Sequence, residues 1–196
     1  MGKTTTVRSI MGMIPARGGT ISYAGRQLAG LPSYRIAQAG IGLVPEGRQI
    51  FPNLTVRENL IATAANRRNE KDPWTLDKVF ALFTNLRERL ANYGNQLSGG
   101  EQQMLAIGRA LMTNPRLLIL DEATEGLAPR IRADLYRSIE RLKSAGLSIL
   151  VIDKDVRALI RVADVHYMLE KGRVVWTGSS AELAASEDVQ HRYLGV

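Results

Sequence analysis

The sequence contains no cysteine and only two histidines among its 196 residues. The lack of cysteine excludes disulfides, thiol catalysis and thiolate-bound metals, and His166 and His191 lie too far apart to indicate a local metal motif. No apolar run reaches the ~18 residues that a membrane-spanning helix needs. Low-complexity tracts and internal repeats are also absent. These features are typical of a single globular domain, and we expect a cytoplasmic location.

Acidic residues are outnumbered by basic ones, which gives a net charge of +7 and a pI near 10.0. Such a charge raises the question of nucleic-acid binding. The basic residues are spread along the whole chain, however, and the longest basic run is Arg67-Arg68, with no aromatic residues interleaved. We therefore expect no nucleic-acid partner and interpret the charge as a general preference for anionic surfaces or nucleotides.

Patterns in the first half of the chain predict short elements around a helical segment. "GGTISYAG" indicates a short strand between turns, "LPSYRIAQAG" a short helix, and "IGLV" a buried strand. From Thr55 to about Leu90 the spacing is helical, with a loop around "RNEKDPW". This segment predicts a helical insert in an otherwise mixed fold.

The second half of the chain has the pattern of a parallel sheet. "LLIL" (117–120) and "SILVI" (148–152) are apolar runs separated by helical spacing from Pro129 to Lys143. Apolar strands joined by a helix are typical of a parallel sheet covered on both faces. "VHYMLEKGRVVWTG" predicts a hairpin that turns at Lys171-Gly172. The fold class is therefore α/β.

The opening "MGKTTT" resembles the end of a phosphate-binding loop. In such a loop, backbone N–H groups at a helix N-terminus surround the phosphates, the lysine reaches the β and γ phosphates, and the next hydroxyl binds Mg²⁺. Gly2, Lys3 and Thr4 match the last three positions, while the earlier glycine and its four spacers are absent. The triplet alone is weak evidence, since it occurs by chance in many proteins.

Two acids follow the apolar run in "RLLILDEATEG". Asp121 and Glu122 stand where the predicted strand leaves the sheet, which is where ligands bind in open parallel sheets. The alternative is two solvated acids that begin a loop. An aspartate that supports Mg²⁺ and an acid that orients or deprotonates an attacking water would suit this position.

"NQLSGGEQQMLAIGRAL" places Ser98, Gly99 and Gly100 before a predicted helix from about Glu101 to Met112. This arrangement exposes N–H donors suited to an anion. A plain cap by Ser98, with Glu101 forming a capping box, is the alternative, but it does not require two glycines.

Together these motifs resemble the family of ATP-binding cassette (ABC) ATPases, with "LSGGEQ" as the signature and "LLILDE" as Walker B. "VPEGRQIFPNLTVRENL" and "DEATEGLAP" further resemble the ATP-binding subunit of branched-chain amino-acid transporters. The resemblance implies a P-loop NTPase fold, with residues 1–196 as one ABC ATPase nucleotide-binding domain. It also implies a helical subdomain over about 55–113 that carries the signature.

The resemblance assigns roles to individual residues, with ATP and Mg²⁺ as cofactors. Asp121 and Thr4 would support Mg²⁺, and Glu122 would be the general base or water-positioning carboxylate. Glu46 stands at the Q-loop position, where an acid could approach the metal or the attacking water. The residues that would bind the phosphates of this chain's own ATP are Gly2, Lys3, Thr4 and Thr5. The residues that would bind the γ-phosphate of ATP held by a second protomer are Ser98, Gly99 and Gly100.

Two positions depart from the wider family. The switch histidine corresponds to Lys154 in "VIDKDV", a cation that could contact the γ-phosphate but could not relay protons as histidine does. The D-loop aspartate corresponds to Ala128, which fits the branched-chain group. We expect hydrolysis that is slower than in the wider family or differently tuned.

The resemblance implies the ATPase of an importer of branched-chain amino acids or similar solutes. Its partners would be transmembrane permease subunits and a second, different ATP-binding subunit with which it forms a heterodimer. A solute-binding protein would act indirectly. The location would be peripheral, on the cytoplasmic face of the inner membrane.

Two alternatives remain open at this point. One is a degenerate cassette that does not hydrolyse ATP and acts as an interaction subunit, and the other is a cytosolic ABC ATPase unconnected with transport. Members of the family carry about 35 to 40 residues before the position of Met1, including the front of the P-loop. We therefore expect an N-terminally truncated domain that lacks the first strands.

Overall fold

The computed structural model describes residues 2–189. It divides into two compact units, Met1–Gly30 with Asp153–Val196, and Leu31–Ile152. The predicted single domain over 1–196 stays a prediction, as does the helical subdomain over 55–113, which lies inside the second unit. No helix among the described residues has both the length and the apolar character needed to cross a bilayer.

The unit Leu31–Ile152 is a parallel sheet with helices. Its strands are β3 (Ile41–Val44), β4 (Leu117–Asp121) and β5 (Ser148–Ile152). Its helices are α2 (Ser33–Gln38), α3 (Val56–Ala62), α4 (Leu76–Leu82), α5 (Thr84–Glu88), α6 (Gly99–Leu111) and α7 (Pro129–Ser144), with a 3-10 turn at Gly94–Gln96. The predicted short helix, the two apolar strands and the helix between them are confirmed.

The sheet has the order β3-β4-β5, and both pairings are parallel. Leu118, Ile119 and Leu120 of the central strand are fully buried, as expected for a strand covered on both faces. Val44 is in register with Leu120, so β3 and β4 end side by side. The loops that follow these two strands therefore leave the sheet at the same edge.

The prediction that both apolar strands are covered on both faces is wrong for β5. Leu150, in the middle of this strand, is 36% exposed, and Ser148 is exposed as well. The physical reason is helix packing rather than position in the sheet. Among the described residues β3 also pairs with β4 alone, yet β3 is largely buried, with α2 and α6 packed against it. Apolar composition alone does not show which strands are covered by helices.

The helix α6 is the buried centre of the helical segment. It packs against α3 and α4 at Gly108, where an added Cβ would lie 2.8 Å from Val79 Cγ1 and 3.0 Å from Leu60 Cδ2. The predicted loop around "RNEKDPW" separates α3 from α4. The backbone of α6 is thus held close to its neighbours, which fixes the position of its first turn.

The unit Met1–Gly30 with Asp153–Val196 contains two antiparallel hairpins. Its elements are α1 (Lys3–Ile10), β1 (Ser22–Tyr23), β2 (Arg26–Gln27), α8 (Val156–Val162), β6 (Val165–Glu170), β7 (Arg173–Ser179) and α9 (Ser180–Ala185). Lys171 and Gly172 join β6 to β7 with φ of 47° and 78°, which is the geometry of a tight hairpin turn. The hairpin predicted at these two residues is confirmed.

Candidate functional site

Three carboxylates meet at the edge of the sheet where β3 and β4 end. One carboxylate oxygen each from Glu46, Glu122 and Glu125 lies within 4.8 Å of the other two. Glu46 follows β3 and Glu122 follows β4, so the parallel pairing of these strands brings together residues that are distant in sequence. The structure therefore places two of the predicted site residues side by side.

The turn after β4 determines where the acids point. Asp121 is the last residue of β4 and is only 2% exposed. Glu122 has a left-handed backbone with φ of 49°, and its N–H donates to the Ile152 carbonyl at 2.9 Å. A residue with a Cβ adopts this conformation at a cost in free energy, so the surrounding structure must hold it.

Glu125 belongs to this cluster and was missed by the sequence reasoning. Its N–H donates to the Glu122 carbonyl at 3.1 Å, which closes a turn and returns the side chain toward Glu122. The three-residue spacing of the two glutamates in "DEATEG" was the available signal. Because carboxylate oxygens are the ligands that Mg²⁺ prefers, the donor set of this edge fits that ion.

The signature residues form the start of α6. Ser98 is the N-cap, and its hydroxyl accepts from the Glu101 N–H at 3.3 Å while Glu101 Oε2 accepts from the Ser98 N–H at 2.8 Å. This is the capping box that the sequence predicts. The helix begins at Gly99, two residues earlier than expected. The first-turn N–H groups of a helix have no partners within the helix and favour anions.

Close packing also favours the two glycines of this turn. A Cβ on Gly99 would lie 2.8 Å from Arg48 Nη2, and one on Gly100 would lie 2.7 Å from Ile131 Cγ2. Glycine here allows close approach of neighbouring side chains in addition to exposing the backbone. The double glycine thus has a second physical reason beside the anion binding that the sequence predicts.

The Glu101 carboxylate is held in its charged form. Partial burial raises the pKa of Glu101, but the hydrogen bonds from the Ser98 hydroxyl and backbone N–H, together with Arg89, bring its pKa below the ordinary value. Arg89 Nε lies 3.4 Å from Glu101 Oε1. The capping box therefore persists through the neutral pH range.

The predicted phosphate-binding residues Gly2, Lys3, Thr4 and Thr5 lie in the unit Met1–Gly30 with Asp153–Val196. Gly2 caps α1 with a φ of 106°, so Lys3 begins the helix. A Cβ on Gly2 would lie 3.4 Å from Gly172 Cα in the turn between β6 and β7. The first turn of α1 thus presents the backbone N–H groups that the sequence motif predicts.

Lys154 belongs to the same unit and lies in an exposed turn before α8. Asp153 Oδ1 accepts from the backbone N–H of Lys154 at 2.6 Å and from that of Asp155 at 3.0 Å. Asp155 in turn caps α8 through the Ala158 N–H at 3.0 Å. These bonds fix the backbone from which the Lys154 side chain extends.

Comparison with protein families decides the identity of the chain. Residues 1–125 match the family model described as ABC transporter. The chain belongs to the ABC transporter family. It is an ABC ATPase, the ATP-binding subunit of a transporter, and such cassettes work with transmembrane permease subunits.

Two relatives of this ABC ATPase illustrate its similarities. It is 41% identical to the high-affinity branched-chain amino acid transport ATP-binding protein BraG of Pseudomonas aeruginosa, over 99% of this chain and 83% of that protein. It is 34% identical to the lipopolysaccharide export system ATP-binding protein LptB of Haemophilus influenzae, over 99% of this chain and 81% of that protein.

Solved cassettes share the fold. The ADP conformation of the ATP-binding cassette MJ1267 superposes with a TM-score of 0.80 at 25% identity, covering 100% of this chain and 84% of that one. A post-hydrolysis dimer of the cassette MJ0796 bound to ADP and Pi superposes with a TM-score of 0.76 at 21% identity, covering 91% of this chain and 81% of that one. The P-loop NTPase fold of the ABC ATPases is therefore confirmed.

Proposed function

We propose that this ABC ATPase hydrolyses ATP to power the import of branched-chain amino acids or similar solutes. The observation that carries the hydrolytic part is the meeting of Glu46 and Glu122 at the carboxyl edge of two parallel strands. The solute is supported by the similarity to BraG and to the probable LivF of Archaeoglobus fulgidus, which is 32% identical over 100% of this chain.

In the proposed reaction, Glu122 acts as the general base. Its carboxylate accepts a proton from a water molecule that attacks the γ-phosphorus, and the bond from that phosphorus to the β,γ-bridging oxygen breaks, releasing ADP and phosphate. Glu46 is close enough to share in positioning that water or the metal. Glu125 adds a third negative charge to the same edge.

The metal would be Mg²⁺, held by Asp121 and the carboxylates at the sheet edge. Thr4 is assigned to the metal by its sequence motif alone. When bound, it neutralises phosphate charge. Lys3, together with the backbone N–H groups of Gly2, Thr4 and Thr5, would bind the phosphates. Lys154 would contact the γ-phosphate as a cation.

The first turn of α6 would act on a second nucleotide. Ser98, Gly99 and Gly100 present donors suited to the γ-phosphate of ATP held by another cassette, so closure of a dimer would depend on nucleotide. We propose a heterodimer with a different cassette, bound to permease subunits at the cytoplasmic face of the membrane. A solute-binding protein would contribute indirectly.

A second candidate is the transport of another class of solute, which is favoured by the 34% identity to LptB. Uptake of labelled leucine separates the two. It is measured in ATP-loaded vesicles that contain the chain with its permease and partner cassette, with the solute-binding protein added outside. The import proposal predicts ATP-dependent leucine accumulation that is absent with Glu122→Gln. ATP hydrolysis without uptake of leucine, isoleucine or valine would contradict the proposed solute class but not the proposed ATPase activity.

A further inference from the structure

The loop that carries Glu46 has an unusual backbone. Gly47, Arg48 and Gln49 follow one another with φ of 79°, 64° and 47°. Only glycine adopts this left-handed region freely, so Arg48 and Gln49 must be held there by other contacts. Besides a hydrogen bond within the loop, from the Gln49 N–H to the Gly47 carbonyl at 2.6 Å, the loop has side-chain contacts to α6 and α3.

Arg48 contacts the first turn of α6. Its Nη1 donates to Gln102 Oε1 at 3.1 Å, and its guanidinium covers the face of Gly99, where a Cβ would lie 2.8 Å from Nη2 and 3.1 Å from Cζ. Gln102 Nε2 also donates to the Gly94 carbonyl at 3.1 Å, which fixes the acceptor. A side chain two residues after Glu46 therefore lies directly on the signature turn.

The other end of the loop is attached near the last turn of α6. Arg109 Nη2 donates to the Gln49 carbonyl at 2.6 Å, and the guanidinium carbon lies 4.6 Å from the centre of the Phe51 ring. Phe51 is tied to α3 as well, because its N–H donates to Asn59 Oδ1 at 2.9 Å. The loop is thus anchored to α6 at two places, at Gln102 near its start and at Arg109 in its last turn.

We propose that Arg48 is a positioning residue that couples Glu46 to the signature turn of the same chain. This rests on the proposed function, in which Glu46 serves the nucleotide of this cassette and Ser98–Gly100 serves the nucleotide of the opposite one. A shift of Glu46 on binding of Mg-ATP moves Arg48, and Arg48 moves Gly99. Binding of ATP at the site of this cassette thereby affects the site of the opposite cassette.

The geometry requires arginine rather than any cation. The planar guanidinium bonds Gln102 with one nitrogen while its other nitrogen lies against Gly99, and a lysine ammonium has neither the second nitrogen nor the flat face. Arg48→Lys therefore keeps the charge and removes the coupling. Gln102→Ala breaks the same connection from the side of α6.

The test is the ATP dependence of hydrolysis by the full chain assembled with its partner cassette and the permease subunits. Two coupled sites give a Hill coefficient that approaches about 2, and uncoupled sites give about 1. We expect the wild-type assembly to be cooperative, and Arg48→Lys and Gln102→Ala each to have a Hill coefficient lower than that of the wild type and nearer to 1. Because both variants break one connection, the double variant has no further effect. Arg35→Gln, an exposed arginine on α2, is the matched control and keeps the wild-type coefficient.

Thermal unfolding of each variant separates coupling from damage to the fold. If Arg48→Lys fails to fold, Gln102→Ala alone tests the connection. A folded Arg48→Lys or Gln102→Ala protein with wild-type cooperativity overturns the proposal, as does a wild type with a coefficient of 1. A wild type without any hydrolysis contradicts the proposed function instead.

Discussion

The carboxylates of Glu46 and Glu122 lie within 4.8 Å of each other at the edge where β3 and β4 end. Neither position is determined by local sequence alone, since the pairing of Val44 with Leu120 aligns the two strand ends. Two like charges this close favour a cation between them or a shared hydrogen-bonded water.

Removing either neighbour of Glu122 should weaken the response to Mg²⁺. We expect Glu46→Gln and Glu125→Gln each to raise the Mg²⁺ concentration for half-maximal hydrolysis several-fold, because each removes a negative charge from the edge. A Mg²⁺ titration at fixed ATP measures this, with Glu140→Gln on an exposed face of α7 as the control. Unchanged titrations for both variants would place the metal elsewhere.

Ser98 should have two separable roles. Ser98→Ala removes the cap of α6 and is expected to cost about 1 kcal/mol of stability as well as most of the ATPase activity. Ser179→Ala is the matched control, because Ser179 forms the same capping box with Glu182, accepting from its N–H at 3.2 Å. It should cost a similar free energy of unfolding and leave hydrolysis near wild type. Equal loss of activity in both variants would mean that stability explains the effect.

The capping boxes also predict a pH dependence of stability. Hydrogen bonds from the backbone N–H and then the hydroxyl of Ser179 lower the pKa of Glu182 below its ordinary value of 4.5. A carboxyl with a lowered pKa in the folded state stabilises the fold above the unfolded value, and this contribution is lost as the pH falls below it. Urea midpoints from pH 5.5 to 3.5 should fall less steeply for Glu182→Gln than for the wild type. Parallel slopes would contradict the assignment.

The residue at position 154 should affect the pH profile of hydrolysis. Histidine changes charge between about pH 5 and 8, whereas lysine ordinarily does so near pH 10. Lys154→His should therefore add a new limb near pH 6.5 to the pH profile of kcat. Lys71→His, in an exposed loop, should leave that profile unchanged. A profile for Lys154→His that superimposes on the wild type would remove Lys154 from the reaction.

The sequence predicts most elements because their signals are local. The hairpin at Lys171-Gly172, the helix α7 and the strands β4 and β5 are each marked by turn residues or apolar runs within a few positions. The prediction that β5 is covered on both faces was wrong because exposure depends on which helices pack against a strand, as Leu150 shows. That packing is a property of the whole unit.

The site was predictable where motifs carry it and not where side chains meet through space. Glu46 and Glu122 were recognised from separate motifs, and their meeting follows from two neighbouring parallel strands. Glu125 required knowledge of the turn after β4, and Arg48 required the left-handed backbone of its loop. These contacts depend on backbone angles that no spacing rule specifies.

The measurement that tests the account most directly compares phosphate release and ATP-induced dimerisation in the wild type and Glu122→Gln. Loss of the general base should slow hydrolysis by about 10²-fold or more and stabilise the ATP-bound dimer, because closure no longer ends in cleavage. Glu140→Gln should behave as the wild type in both assays. A Glu122→Gln protein that hydrolyses ATP at the wild-type rate would contradict the catalytic assignment.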